Sequence, residues 1–238
     1  SPVCFGTGGE TTYLDWMLSA WGWTLSVSAL GLLIAMFLGI LMGTLRTLPP
    51  DNLITRLLAT VGNVWVELFR NIPVLVQVFL WYHVLPAIVP VMKGLPSFIL
   101  VSLALGFFTS SRIAEQVRAG IGALPRGQRF AALAMGLTTT QSYRYVILPM
   151  ALRIVIPPLT SESMNIIKNS SVAFAVSVAD LTLFAMQAQE ETSRGIEIYL
   201  GVTALYVISA LVVNRVMALI EARTRVPGFI ASANTGGH

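Results

Sequence analysis

Charge is scarce in this chain. Of its 238 residues only 11% are Asp, Glu, Lys or Arg, where a soluble domain carries about 25%. One cysteine, Cys4, is present, which excludes an internal disulfide and a cysteine metal cluster. The two lysines are Lys93 and Lys168, and neither follows a glycine. A phosphate-binding loop of the form G-x-x-x-x-G-K is therefore excluded, and the chain cannot itself be a P-loop ATPase. H-E-x-x-H, a cysteine pair and G-x-S-x-G are also missing. That leaves no visible nucleophile and base for an intramembrane hydrolase, and no metal site is expected.

What is abundant is apolar surface. Hydrophobic residues make up 55% of the chain and the mean hydropathy is +0.75, which places it in a membrane. The net charge of +4 and pI near 9.6 would point to nucleic acid in a soluble chain. Here the basic residues lie between apolar runs, so membrane topology accounts for them and no nucleic-acid partner is expected. The first apolar run follows Glu10 and Asp15 rather than a basic region, and it is too long for a signal-peptide core.

Five spans are predicted. The first is the uncharged run between Asp15 and Arg46, long enough to cross a hydrocarbon core of about 30 Å. Trp16, Trp21 and Trp23 mark its interfacial start. Gly31, Ala35, Gly39 and Gly43 recur every fourth residue, so one helix face is smooth enough for another helix to approach closely. A charged segment, Arg46 to Arg70, separates it from the second span, Asn71 to about Pro86, with Trp81 and Tyr82 read as interface anchors. His83 is either a proton relay or an imidazole at the headgroup level. The third run, Leu95 to Ser111, is barely long enough to cross, with Arg112, Glu115 and Arg118 at its exit. The fourth, Ala151 to Val178, holds Pro157 and Pro158, which are expected to kink or unwind it. On it Glu162, Asn165 and Asn169 share one face. They line a polar path or form a helix-to-helix hydrogen-bond cluster, a carboxylate in a membrane helix being expensive to expose to lipid. Lys168 can snorkel to the far interface. Asp180 to Glu197 reads as a polar connector, Ile198 to Met217 as the last span, and the tail beyond Glu221 as basic and then mobile.

Five spans put the termini on opposite sides. With the N-terminus outside, twelve of the 15 basic residues fall on inside segments and three, Lys93, Lys168 and Arg194, fall outside. The positive-inside bias fixes that orientation, N-out and C-in.

The longest basic segment, about 115–149, is a cytoplasmic loop in this topology. Its Ala-rich centre from Phe130 to Met135 favours helix. Gly136 lets the backbone leave that helix, and Thr138 to Thr140 can start the next. Two short helices joined by a hinge are predicted, as a handle for a soluble partner or as a solvated connector.

This loop resembles a known family. A-A-L-A-M-G (131–136), nine residues and V-I-L-P (146–149) is similar to the EAA motif of ABC-importer membrane subunits. Phe130 stands where that motif has its glutamate, and Val146 stands for an isoleucine. V-E-L-F-R-N-I-P-V-L-V-Q (66–77), L-P-R-G-Q (124–128) and N-I-I-K-N-S-S (165–171) resemble the polar amino acid importers. From about Thr11 to Pro227 the chain looks like a glutamate/aspartate-type permease subunit.

The resemblance implies an all-α fold of the type I importer permease, one permease domain over 1–238, in a bacterial inner membrane and in contact with its lipid. It implies a second membrane subunit, identical or related, two cytoplasmic ATP-binding subunits that hold ATP and Mg, and a periplasmic amino-acid-binding protein. The chain itself is then expected to bind no cofactor. The loop becomes the coupling helix, with Arg126, Gln128, Phe130, Ala131, Ala132, Met135 and Gly136 as its contact set. The substrate path is expected to use Gln77, Ser161, Glu162, Asn165, Lys168 and Asn169, with Glu162 meeting an ammonium and Lys168 a carboxylate. The alternative is a passive channel or interaction subunit that gates without ATP.

Overall fold

The computed structural model describes residues 12–224. Cys4, the segment before Thr12 and the tail beyond Thr224 lie outside the described residues. Those described form helices and connecting turns without a strand.

Helix α1 runs Tyr13–Leu45 and opens with a capping box. Thr12 accepts from the Asp15 backbone, and Asp15 returns the bond to Thr12. The helix is apolar on every side, as a span must be. Thr24, Ser26 and Ser28 turn their hydroxyls back to carbonyls four residues earlier, so no donor meets lipid unpaired.

Its small-residue face packs on α5, Ser97–Gly122. Gly31, Ala35, Gly39 and Gly43 are all buried there. A methyl group added at Gly39 would sit 2.5 Å from Ile113, and one at Gly43 would sit 2.7 Å from the Ala114 carbonyl. The predicted smooth face is thus a helix-to-helix seam.

Helix α5 corrects the sequence reading of the third span. It does not end near Ser111 but continues for three more turns, carrying Arg112, Glu115 and Arg118 inside the helix. Those charges are tolerated because they are paired. The Glu115 carboxylate meets Arg46 at 2.9 Å, Arg118 at 3.0 Å and Arg70 at 3.3 Å. Arg46 also donates to Asn63. This knot joins the inner ends of α1, α2 and α5.

The second span is also built differently from expectation. The charged segment is itself largely helix α2, Leu53–Asn71. Leu53, Leu57, Val61, Val64 and Leu68 form an exposed apolar stripe along it, at the helical spacing that the charges had masked. Beyond Pro73 come α3, Val74–Phe79, a π-helical turn, Leu80–Val84, and α4, Leu85–Ile88. The axes of 53–71 and 74–88 differ by 105°, so the pair is one broken span or a re-entrant excursion. Four other helical stretches are long and apolar enough to cross. Trp81 is not an interface anchor: it is 7% exposed and its ring meets Phe107 edge-on at 4.6 Å. His83 lies beside Phe79 and Tyr82 on the same segment.

After α5 come two short helices, α6, Arg126–Ala134, and α7, Thr139–Ser142. A π-helical turn, Tyr143–Ile147, leads into α8, Leu148–Asn169. Both π turns precede a proline, Pro86 and Pro149. The wider turn moves a carbonyl away from the proline ring that would otherwise strike it. Pro157 and Pro158 do not unwind α8, which is continuous through them. The chain instead tightens to a 3-10 helix at Ser170–Val176 and turns at Ser177, with φ +58°.

The expected polar connector contains a further helix, α9, Leu181–Thr192, followed by α10, Gly195–Thr224. Helix α9 packs on the outer end of α1: Phe184 meets Trp16 edge-on, and Thr24 accepts from the Leu181 backbone at 3.0 Å. Its cap, Asp180, is fully buried and accepts from the Leu183 backbone at 2.9 Å, while its second oxygen has no partner.

Two predictions follow from these contacts. Gly39→Val should cost about 1–3 kcal/mol by overpacking and lower the melting temperature of the purified protein. Gly22→Ala, where a methyl group meets nothing within 4 Å, should leave it unchanged or raised. Burial pushes the Asp180 carboxyl from 3.8 up to about 6. The folded state therefore disfavours the ionised form. The penalty is absent below pH 4, grows between pH 4 and 6, and is complete above, at on the order of 3 kcal/mol. Asn caps equally well without titrating, so Asp180→Asn should flatten this decline in thermal melts between pH 4 and 7.

Candidate functional site

Two places bring polar groups together in a way the packing alone does not require. The first lies between α5 and α8. Glu162 is buried at the middle of α8, its side chain 5% exposed. Arg112 approaches from α5 and donates from Nε to Oε2 at 2.8 Å and from Nη2 to Oε1 at 3.1 Å. Gln116, one turn further along α5, donates to Oε1 at 3.2 Å. A carboxylate in a membrane helix is stable here because a two-point guanidinium contact and an amide satisfy it.

In this conformation Glu162, expected to meet a substrate ammonium, is turned to α5 instead. Both of its oxygens are engaged within the subunit and the side chain is closed off. Gln77 also lies away from any open surface in this conformation. It is fully buried, and its amide donates to the carbonyls of Phe69 and Ile72, bridging the bend between α2 and α3. Ser161 and Lys168 are exposed on α8, and Asn165 and Asn169 are half-buried. Lys168 makes no ion pair among the described residues.

Arg112 and Gln116 were not picked out by sequence. Their spacing, four apart on one face of an otherwise apolar run, was the available signal. It was hidden by ending the third span at Ser111 and reading Arg112 as its exit.

The second place is the inner loop. Helix α6 ends in a Schellman motif: Leu137 N–H donates to the Ala132 carbonyl and Gly136 N–H to that of Leu133. Gly136 takes φ +84°, the left-handed conformation glycine adopts without strain. Thr138 and Gln141 then form a capping box that starts α7. The expected pair of short helices with a glycine hinge is therefore present, with both ends locked.

On α6, Ala132 is buried and anchors the helix, while Ala131 is exposed. Phe130 and Met135 are 68% and 73% exposed. Gln128 lines a cavity of about 430 Å³ with Arg129, Leu124, Thr47 and Tyr143. Arg126 begins α6, and its side chain lies outside the described residues. The Tyr143 hydroxyl donates to the Thr47 carbonyl just past α1, so the loop is fastened to the first span.

Comparison with known proteins shows the family. Residues 35–226 match the family described as binding-protein-dependent transport system inner membrane component. The chain is 41% identical to the glutamate/aspartate import permease protein GltJ of Escherichia coli K12, over 96% of this chain and 93% of that one. It is 34% identical to the probable glutamine ABC transporter permease protein GlnM of Bacillus subtilis, over 78% and 82% of the two chains. A solved amino acid ABC transporter superposes with a TM-score of 0.75 at 29% identity, covering 89% of this chain and 95% of that chain. A subunit of the inward-facing MetNI methionine ABC transporter gives 0.77 at 21% identity, covering 91% and 100%, a likeness of fold. The chain belongs to the binding-protein-dependent inner-membrane transport family, as a permease subunit of an amino acid ABC importer.

Proposed function

We propose that this permease carries an acidic amino acid, glutamate or aspartate, inward across the membrane, driven by ATP hydrolysis in separate cytoplasmic subunits. The observation that carries the coupling is the α6–α7 handle. Large apolar side chains, Phe130 and Met135, stand exposed on a short helix whose end is locked and whose base is tied to α1. An exposed phenylalanine and methionine on a basic inner loop are groups that a partner's groove would cover. With Phe130 in place of the motif's acid, this contact is apolar rather than ionic.

The substrate assignment is supported by the 41% identical relative that is named a glutamate/aspartate import permease. ATP and Mg would be held by the ATP-binding subunits, since this chain has no phosphate-binding loop. A second membrane subunit, of the same or a related sequence, would close the other side of the path. A periplasmic binding protein would deliver the amino acid. ATP-driven closure of the nucleotide-binding pair would draw the two handles together and favour the outward-open arrangement. The bound ligands act through their different affinities for the two states.

The handle gives a direct test. Valine at position 136 has open space for its side chain but not for its backbone, because φ is +84°. The left-handed conformation costs a β-branched residue about 1–2 kcal/mol. Gly136→Val should therefore leave the spans folded while reducing the ATPase that co-purifies, or its coupling to uptake of labelled glutamate. An equal yield of coupled ATPase from the variant would show that the Gly136 turn does not carry the coupling, and glutamate flux without nucleotide would support a passive channel instead.

A further inference from the structure

The Arg112 guanidinium is only half used by Glu162. A guanidinium has five N–H donors arranged along two edges that can each grip a carboxylate. Glu162 occupies the edge formed by Nε and Nη2. The other edge, Nη1 with the second Nη2 hydrogen, makes no hydrogen bond among the described residues, and the side chain is 46% exposed. Arg112 thus has one face fixed inside the subunit and one face open.

The open face lies on α5 one turn before the charged knot at Glu115 and ten residues before the helix ends at Gly122, about 15 Å along the axis. A charged group exposed at that depth faces a water-filled cavity or another subunit rather than lipid. The neighbouring helix exposes further polar groups, Ser161 and Lys168. The sign of this surface is definite. Glu162 and Arg112 cancel, Lys168 is unpaired among the described residues, and no other carboxylate sits on α8. A surface of that kind attracts an anion.

We infer that the open Nη1 edge of Arg112, held in orientation by Glu162, binds the side-chain carboxylate of the substrate during passage and selects an acidic amino acid over its amide. The inference rests on the reading of the chain as an acidic amino acid permease. It gives Glu162 the role of a positioning residue: by gripping one edge of the guanidinium it fixes where the other points. A lysine at 112 would keep the charge but lose the two-point geometry, and glutamine offers a carboxylate-binding edge one charge fewer to hold.

The test uses the assembled transporter, permease pair with its ATPase, in detergent and without the binding protein. Calorimetric titration with glutamate and with glutamine isolates the membrane path from the binding protein's own selectivity. Wild type should favour glutamate by roughly tenfold or more. Arg112→Lys should reduce that ratio about tenfold or more. Glu162→Gln should also lower it, with the complex still assembled, because the guanidinium is no longer oriented. Arg112→Gln alone buries an unpaired Glu162 and can fail to fold, so the double variant Arg112→Gln with Glu162→Gln removes both charges together. Its loss of glutamate preference in an assembled complex supports the inference. Unchanged preference in either assembled Arg112 variant, or no preference in wild type, overturns it. Uptake by the complete transporter separates the two readings. If wild type imports glutamate and the Arg112 variants import it equally well, the role of Arg112 fails and the function stands. If wild type imports no acidic amino acid, both fail.

Discussion

The close approach of α1 and α5 sets the geometry of everything else. At Gly39 and Gly43 the α1 backbone comes within reach of α5 side chains and carbonyls, leaving no room for a methyl group. Water plays no part in driving two apolar helices together inside lipid, so the association depends on how much surface can touch. Four small residues in register supply that surface. Once α5 is fixed against α1, its opposite ridges can carry groups that would be costly elsewhere. Arg112 and Gln116 reach α8 on one side, and Glu115 gathers three arginines at the inner end.

Much of this was legible in the sequence where a local pattern was enough. The smooth face of α1 showed itself as a four-residue period, and the inner handle as Ala-rich helix, glycine and threonines. Both depend on neighbours a few positions apart. The motifs of the handle also carried the family. The missed features share a different property: each is settled by a contact distant in the chain. Arg112 was read as the exit of the third span because its partner lies 50 residues away. Trp81 was placed at the interface because nothing nearby announces Phe107. Helix α9 was taken for a connector because its apolar side is matched to α1, more than 150 residues earlier.

Helix α2 was lost for another reason. Its apolar stripe has regular spacing, but the charges interleaved with it dominated the reading. Glu67 and Arg70 lie on it together with Leu53, Leu57, Val61, Val64 and Leu68. A helix with one charged and one apolar side fits neither a simple span nor a soluble loop. Its sharp bend to α3, bridged by the buried amide of Gln77, is the physical compromise. Gln77 was expected on the path because polar residues in spans attract that interpretation. The same polarity serves a bend equally well, since a break in a helix leaves carbonyls that must find donors inside the membrane.

Helix α8 combines two features that have a mechanical consequence. It stays continuous through Pro157 and Pro158, yet those residues cannot donate to the carbonyls of Arg153 and Ile154 one turn earlier. The helix is therefore a stiff rod with one compliant joint. Below that joint it is continuous with the handle through the π turn at Tyr143–Ile147. Above it, Glu162 is clamped to α5. The joint is itself pressed against α5, because a methyl group added at Gly120 would strike Val155. Torque applied at the inner surface would therefore be handed on to α5 as well as bending α8, and the two helices would move as a pair with Arg112 and Glu162 still joined.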